Sequence, residues 1–270
     1  MLIRLGYDLQ FNVLAPLSFV AQLHVHPSRV ADLREPDVLN IDGDIVSHEY
    51  SDSFGNICTR FLAPAGPLRI WNSTLIEDSG IPDVVVPEAR EIPIPELPDD
   101  VLRFLLASRY CEVDLLSPIA IDLFGHIPPG WGRVAAIAQW VNQKVTFGYQ
   151  FARPTKTALD VYTERLGVCR DFQHLAVTFC RCMNIPARYV AGYLGDIGVA
   201  YTTPMDFSAW FEAYLDGKWR TFDARHNHPR IGRVLMATGR DAADVAFLTS
   251  FGSSTLTSFK VVTDEIPAIT

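Results

Sequence analysis

The stretch "MDFSAWFEAYLDGKWRTFDARHNH", Met205 to His228, decides how this chain is to be read. Two alternating runs flank the pair Asp216-Gly217, a strong signal for a two-residue hairpin turn. That turn fixes a register in which Trp210 faces Asp223, Ser208 faces Arg225, Glu212 faces Thr221 and Tyr214 faces Trp219, all on one side. Residues 208 and 223 are then diagonal neighbours, with β carbons about 7–8 Å apart. An imidazole at 208 would donate an orienting hydrogen bond to the Asp223 carboxylate. The residue there is serine, whose hydroxyl has no useful basicity near neutral pH.

The second informative stretch is "RLGVCRDFQHLAVTFCRCM", Arg165 to Met183. Phe172, Leu175, Ala176, Phe179, Cys180 and Met183 recur at offsets of three and four, predicting a helix with one buried face that starts near Cys169. A thiol at that position lies among the unpaired N–H groups of the helix N-terminus, which lower a cysteine pKa below its ordinary ~8.5 and offer donors to an oxyanion. These features favour Cys169 as a nucleophile over a buried structural cysteine, the role that suits Cys180 and Cys182. Arg170 and Asp171 read as a solvated first-turn pair, and Arg225 as a partner for Asp223.

No other histidine is placed by spacing to serve as base. His174 lies five residues after Cys169, a rotation that carries the two side chains apart. His226 and His228 follow Asp223 beyond the strand; a loop that brought one back toward the thiol would let it substitute as base, but nothing in the spacing demands it. His24 and His26 share a strand face and read as a solvated pair; with no third ligand at a zinc-like interval, no metal site is expected. The run "GYLGDIG" lacks the Lys-Ser/Thr pair of a phosphate loop, and no cofactor is inferred.

A chain of 270 residues, 49% hydrophobic and 20% charged, is long enough for a full core. Its formal net charge of −8 argues against nucleic-acid or anionic-membrane partners. Five scattered cysteines and the start "MLIRLGYDLQF" predict a cytoplasmic protein without a membrane span. Short alternating runs predict a small antiparallel β domain over residues 1–80. Pro82, Pro87, Pro93, Pro95 and Pro98 predict an extended connector over 81–99. Residues 100–270 then form an α+β core: "GWGRVAAIAQWVNQKV" and Thr157 to Leu166 read as helices, the latter ended by Gly167, and strands follow.

Together these residues resemble the bacterial transglutaminase-like family of cysteine proteases. "GVCRDFQHLAVTFCRCMNIPARYVAGYL" is similar to the family's nucleophile segment and "AWFEAYLDGKWRTFDARHN" to the segment bearing base and acid. The resemblance spans nearly the whole chain and implies a papain-like core after an N-terminal β domain, with Cys169 as nucleophile and Asp223 as orienting acid. It also implies thiol acyl transfer or hydrolysis on peptide or glutamine carboxamide bonds. Ser208-Ala209-Trp210 stands where the family has His-Ala-Trp, which predicts low or absent activity. The competing readings are a non-catalytic module holding a peptide with Trp210, Glu212 and Tyr214, and an inactive engineered variant. On these readings Ser208→His would complete the catalytic set.

Overall fold

The computed structural model describes residues 1–201 and 205–267. Six strands come first: β1 (Leu2–Val13), β2 (Leu17–Ala21), β3 (Asn40–Ile41), β4 (Ser47–Ser51), β5 (Ile57–Ala63) and β6 (Gly66–Glu77). Their alternation has the period of a half-buried strand: Ile3, Leu5, Tyr7 and Leu9 of β1 meet Leu68, Ile70 and Ile76 of β6 in one apolar cluster. His24 departs from the expected solvated pair, because it is buried against Thr59 at 3.0 Å and faces Asp37, while His26 caps a short 3-10 turn. The connector forms neither strand nor α-helix over residues 79–98. It is nevertheless pinned along its length, since Asp83 exchanges hydrogen bonds with Arg230, and Ala89 and Arg90 accept from Trp131 and Asp216.

The helices follow: α1 (Asp99–Leu102), α2 (Val113–Phe124), α3 (Trp131–Lys144), α4 (Ala158–Glu164) and α5 (Cys169–Cys182), with the short parallel pair β7 (Thr146–Phe147) and β8 (Leu166–Gly167) among them. α4 starts at a capping box on Thr157 and ends at Arg165 in the left-handed conformation, two residues before the glycine expected to stop it. Of the helices, α5 is the buried centre. Beyond the predicted apolar stripe, its Asp171, Gln173, His174, Thr178 and Arg181 are also buried, because the helix is covered on more than one side. His174 accepts from the Ala242 N–H at 3.1 Å and stacks on Tyr110, which commits it to structure.

A sheet ordered β11-β10-β9-β12 comes last, built from β9 (Ala187–Leu194), β10 (Ser208–Leu215), β11 (Lys218–Phe222) and β12 (Arg233–Gly239). Phe211, Ala213 and Leu215 of β10 pack with Phe172, Leu175 and Phe179 of α5. Tyr193, Val234 and Met236 join the N-terminal cluster instead, so the sheet is shared between the two parts of an α+β molecule. The chain does not finish inside the unit expected to span 100–270. β13 (Leu248–Ser250) pairs with β2, and β14 (Ser254–Ile266) runs antiparallel to β1 along its whole length. The N-terminal sheets therefore include the last strands of the chain, because β1 has a free edge that only a distant segment fills.

Candidate active site

Three residues before Asp171, the backbone of Val168 is extended, and its N–H donates to Asp171 Oδ2 at 3.0 Å. A β carbon on Gly167 would stand 2.7 Å from Asp171 Cβ, so the glycine before Val168-Cys169 is required for that carboxylate to fold back over the helix start. Asp171 is fully buried rather than solvated, with Arg170 Nη2 at 3.0 Å from its Oδ1, and burial raises its carboxyl above the ordinary value. Cys169 follows as the first residue of α5. Its side chain packs against a small cluster that includes Tyr189, Ala191 and Ala209. The expected lowering of the thiol does not occur: burial pushes it up to about 11, outweighing the opposing pull of Arg225 and the Arg170 N–H. Helix-end charge acts here, but desolvation is the larger effect.

The hairpin keeps the register set by its turn, with Phe211 opposite Phe222, Glu212 opposite Thr221 and Tyr214 opposite Trp219. Asp216 and Gly217 both have positive φ, as that turn demands. The ladder stops at Phe211 and Phe222, so the expected pairs Trp210 with Asp223 and Ser208 with Arg225 do not form. The reason is the Asp223 side chain: its Oδ1 takes the Arg225 and His226 backbone N–H groups at 2.9 and 3.1 Å, and the strand curls away. The curl brings His226 back. His226 Nδ1 lies 2.8 Å from Asp223 Oδ2, and no hydrogen bond occupies its Nε2 among the described residues.

Asp223 has further partners. Gln173, one turn after Cys169 on α5, donates to its Oδ1 at 3.1 Å and to the Ala209 carbonyl at 3.1 Å, while accepting from the Ala224 N–H. Arg233 Nη2 donates to Asp223 Oδ2 at 2.9 Å. Burial alone would raise this carboxyl, yet Arg233 and His226 hold it well below the usual carboxylate range. Asp223 is therefore a fixed anion. Its expected partner Arg225 contributes only a backbone bond; the Arg225 guanidinium lies over the Phe147 ring, 3.9 Å from its centroid.

Ser208 opens β10 opposite Gly192. It lines a small pocket with Tyr149, Asp206, Arg225 and His226, but its buried Oγ has no hydrogen-bond partner among the described residues. Cys169 lies within electrostatic reach of Tyr149, Asp206 and Arg225, three walls of that pocket. The three residues expected to hold substrate lie elsewhere. Trp210 is buried beneath the Arg233 guanidinium, Glu212 is paired with Arg188 at 2.6 Å, and Tyr214 packs with Leu97, Val101 and Trp219. Trp210 and Glu212 line a separate groove with Asp83 and Arg220, where neither Cys169 nor His226 takes part.

Sequence reasoning left His226 as an open alternative that no spacing demanded, and passed over Gln173. An Asp-x-x-His spacing at a strand end carried the signal for the first, since aspartate side chains cap backbone N–H groups two and three residues on. Offset four from the cysteine carried the signal for the second. Among the described residues, no group of three or more His, Cys, Asp or Glu side chains is arranged to hold a metal ion, and no helix is long and apolar enough to cross a membrane.

Residues 122–224 match the family model of the transglutaminase-like superfamily, a span that contains Cys169, Ser208 and Asp223 and stops before His226. The uncharacterized protein ML0607 of Mycobacterium leprae is 27% identical over 210 residues, 74% of each chain. The crystal structure of a candidate cysteine protease from Cytophaga hutchinsonii superposes with a TM-score of 0.86 at 31% identity, covering 99% of this chain and 91% of that one. Likeness of this extent, over both the β sheets and the helical part, means that the chain belongs to the transglutaminase-like superfamily.

Proposed function

We propose that this protein is a thiol enzyme acting on amide bonds of peptides or proteins, with Cys169 as nucleophile and His226, oriented by Asp223, as the acid and base. The observation that carries the reading is the 2.8 Å contact between His226 Nδ1 and Asp223 Oδ2, which leaves Nε2 without a hydrogen bond among the described residues, on a side chain that lines one pocket with Tyr149, Asp206 and Arg225, three groups within electrostatic reach of Cys169. The imidazole absent from position 208 is thereby supplied from three residues beyond the acid. The candidate protease from Cytophaga hutchinsonii supports peptide bonds as the substrate class.

Each step balances with these groups alone. Nε2 takes the Cys169 proton as sulfur bonds to the carbonyl carbon, and the resulting oxyanion is met by the Cys169 N–H at the start of α5. Collapse breaks the carbon–nitrogen bond, the imidazolium returns its proton to the leaving amine, and a thioester remains on Cys169. Water, or a second amine, attacks the thioester as His226 removes its proton; the carbon–sulfur bond then breaks, the acid or new amide leaves, and the imidazolium returns the proton to the Cys169 sulfur.

A second reading, a peptide-binding protein without turnover, is favoured by the raised Cys169 thiol. The test compares the unmodified chain with Cys169→Ala, His226→Gln, Ser208→Ala and Ser208→His on a pool of short glutamine-containing peptides. Cleavage, ammonia release and the acyl-enzyme would be followed by mass. Turnover in the unmodified chain that vanishes in Cys169→Ala and His226→Gln is the expected result. Turnover appearing only in Ser208→His would instead mean that the natural site lacks a base.

A further inference from the structure

The polar groups around Asp223 extend into the proline-rich connector. Arg233, on β12, is buried and makes two ion pairs at once: Nη2 with Asp223 Oδ2 at 2.9 Å and Nε with Asp83 Oδ2 at 2.8 Å. Asp83 lies in the connector, and its backbone is fixed to the same part of the chain, since Asp83 N–H donates to the Arg230 carbonyl at 2.9 Å while Asp83 Oδ2 accepts from the Arg230 N–H at 2.9 Å. Asp223 Oδ2 is thus shared by two donors, His226 Nδ1 on one side and Arg233 Nη2 on the other.

We propose that Arg233 is a positioning residue through which the connector sets the acid–base pair: Asp83 holds the guanidinium, and the guanidinium fixes the carboxylate that orients His226. This rests on the reading of His226 as the base. Only arginine fits the role, because a planar fork reaches two carboxylates whereas an ammonium is a single point of charge. The charge count gives the direction of the effect. Asp83, Arg233 and Asp223 sum to one negative charge, and each variant acts on His226 through its change to that sum. Neutralising Asp83 leaves the whole of the Arg233 charge directed at Asp223 and makes His226 a weaker base. Removing Arg233 leaves two carboxylates and makes it a stronger one, though less well oriented.

Other charges face His226 and stay constant in the test. Arg225 and His228 lie on its own segment, the His228 ring 6.1 Å away. Tyr149, Asp206, Asp196 and Arg230 line the pocket from other elements, and Cys169 acts on Tyr149, Asp206 and Arg225 from α5.

The experiment measures the acid limb of kcat/KM against pH for the unmodified chain, Asp83→Asn, Arg233→Lys, Arg233→Met and His226→Gln, with the His226 imidazole titrated in parallel by NMR. The limb reports the group that must be unprotonated. Asp83→Asn is expected to move both limb and imidazole to lower pH, and Arg233→Met to higher pH, each by about one unit for a charge at this range in a partly buried site. Arg233→Lys is expected to lower kcat about tenfold with KM little changed, as loss of orientation would. Shifts in the same direction for Asp83→Asn and Arg233→Met, or no shift in either, would overturn the inference. If Arg233→Met does not fold, Asp83→Asn and the imidazole titration still decide. Activity surviving in His226→Gln would overturn the underlying reading, while loss in His226→Gln beside unmoved limbs would overturn this proposal alone.

Discussion

Ser208 and the Asp223–His226 turn are neighbours in one pocket and opposites in chemistry. Both Asp223 oxygens are engaged, by two backbone N–H groups, an amide, an imidazole and a guanidinium. The Ser208 hydroxyl is buried with no partner among the described residues. A fully satisfied buried polar group specifies one arrangement, whereas an orphaned one costs free energy and specifies nothing. The difference is why the proposed acid–base chemistry is assigned to the turn. At position 208 there is a residue of small volume and no assigned task.

Four substitutions or titrations would sharpen that contrast or break it. The largest difference is expected in turnover: His226→Gln should lose about 10²–10⁴-fold, the ordinary contribution of a general acid–base, while Ser208→Ala stays near the unmodified rate. Equal losses in the two variants would break the contrast at once. Next in size is Gln173→Leu, which keeps the volume but removes donors from Asp223 and Ala209 and the acceptor for Ala224. It should cost about 2–3 kcal/mol in chemical denaturation; a cost under about 0.5 kcal/mol would mean that the amide is a bystander.

Alkylation of Cys169 by iodoacetamide addresses the sulfur. A thiol raised to about 11 is almost wholly protonated at neutral pH and gains thiolate as pH rises. Its rate should climb about tenfold per pH unit between pH 7 and 9 without levelling. A plateau beginning at or below pH 7 would show a resting ion pair with an imidazolium. The smallest expected effect is on stability in Ser208→Ala. Removal of an unpartnered buried hydroxyl should be neutral or stabilising by up to about 1 kcal/mol. Destabilisation beyond that would give Ser208 a structural role that its surroundings do not reveal.

Much of this was legible in the chain. Asp216-Gly217 fixed the hairpin register, and the spacing from Phe172 to Met183 set the helix with Cys169 at its start, because both depend on local geometry. Legibility failed where one side chain redirected the backbone. Asp223 withdraws two N–H groups from the ladder, and a strand pattern alone does not foresee the curl that returns His226. It failed again where burial decides energy: the sign of the Cys169 shift depends on neighbours such as Tyr189 and Ala209, which come from other strands. The partner of β1 was likewise out of reach, since alternation announces a strand without naming its neighbour.

The pairing of β1 with both β6 and β14 has a consequence for the order of assembly. During synthesis β1 meets β6 early, but β14 emerges only after the entire helical part and its sheet have been made. Until then one long edge of β1 stays open, with its N–H and C=O groups available to any extended strand, including that of another nascent copy. The late strand thus acts as a closing seam. Its arrival converts a sticky intermediate into a finished sheet, so a lesion in residues 254–266 would be felt first as lost yield of soluble protein and only afterwards at the thiol.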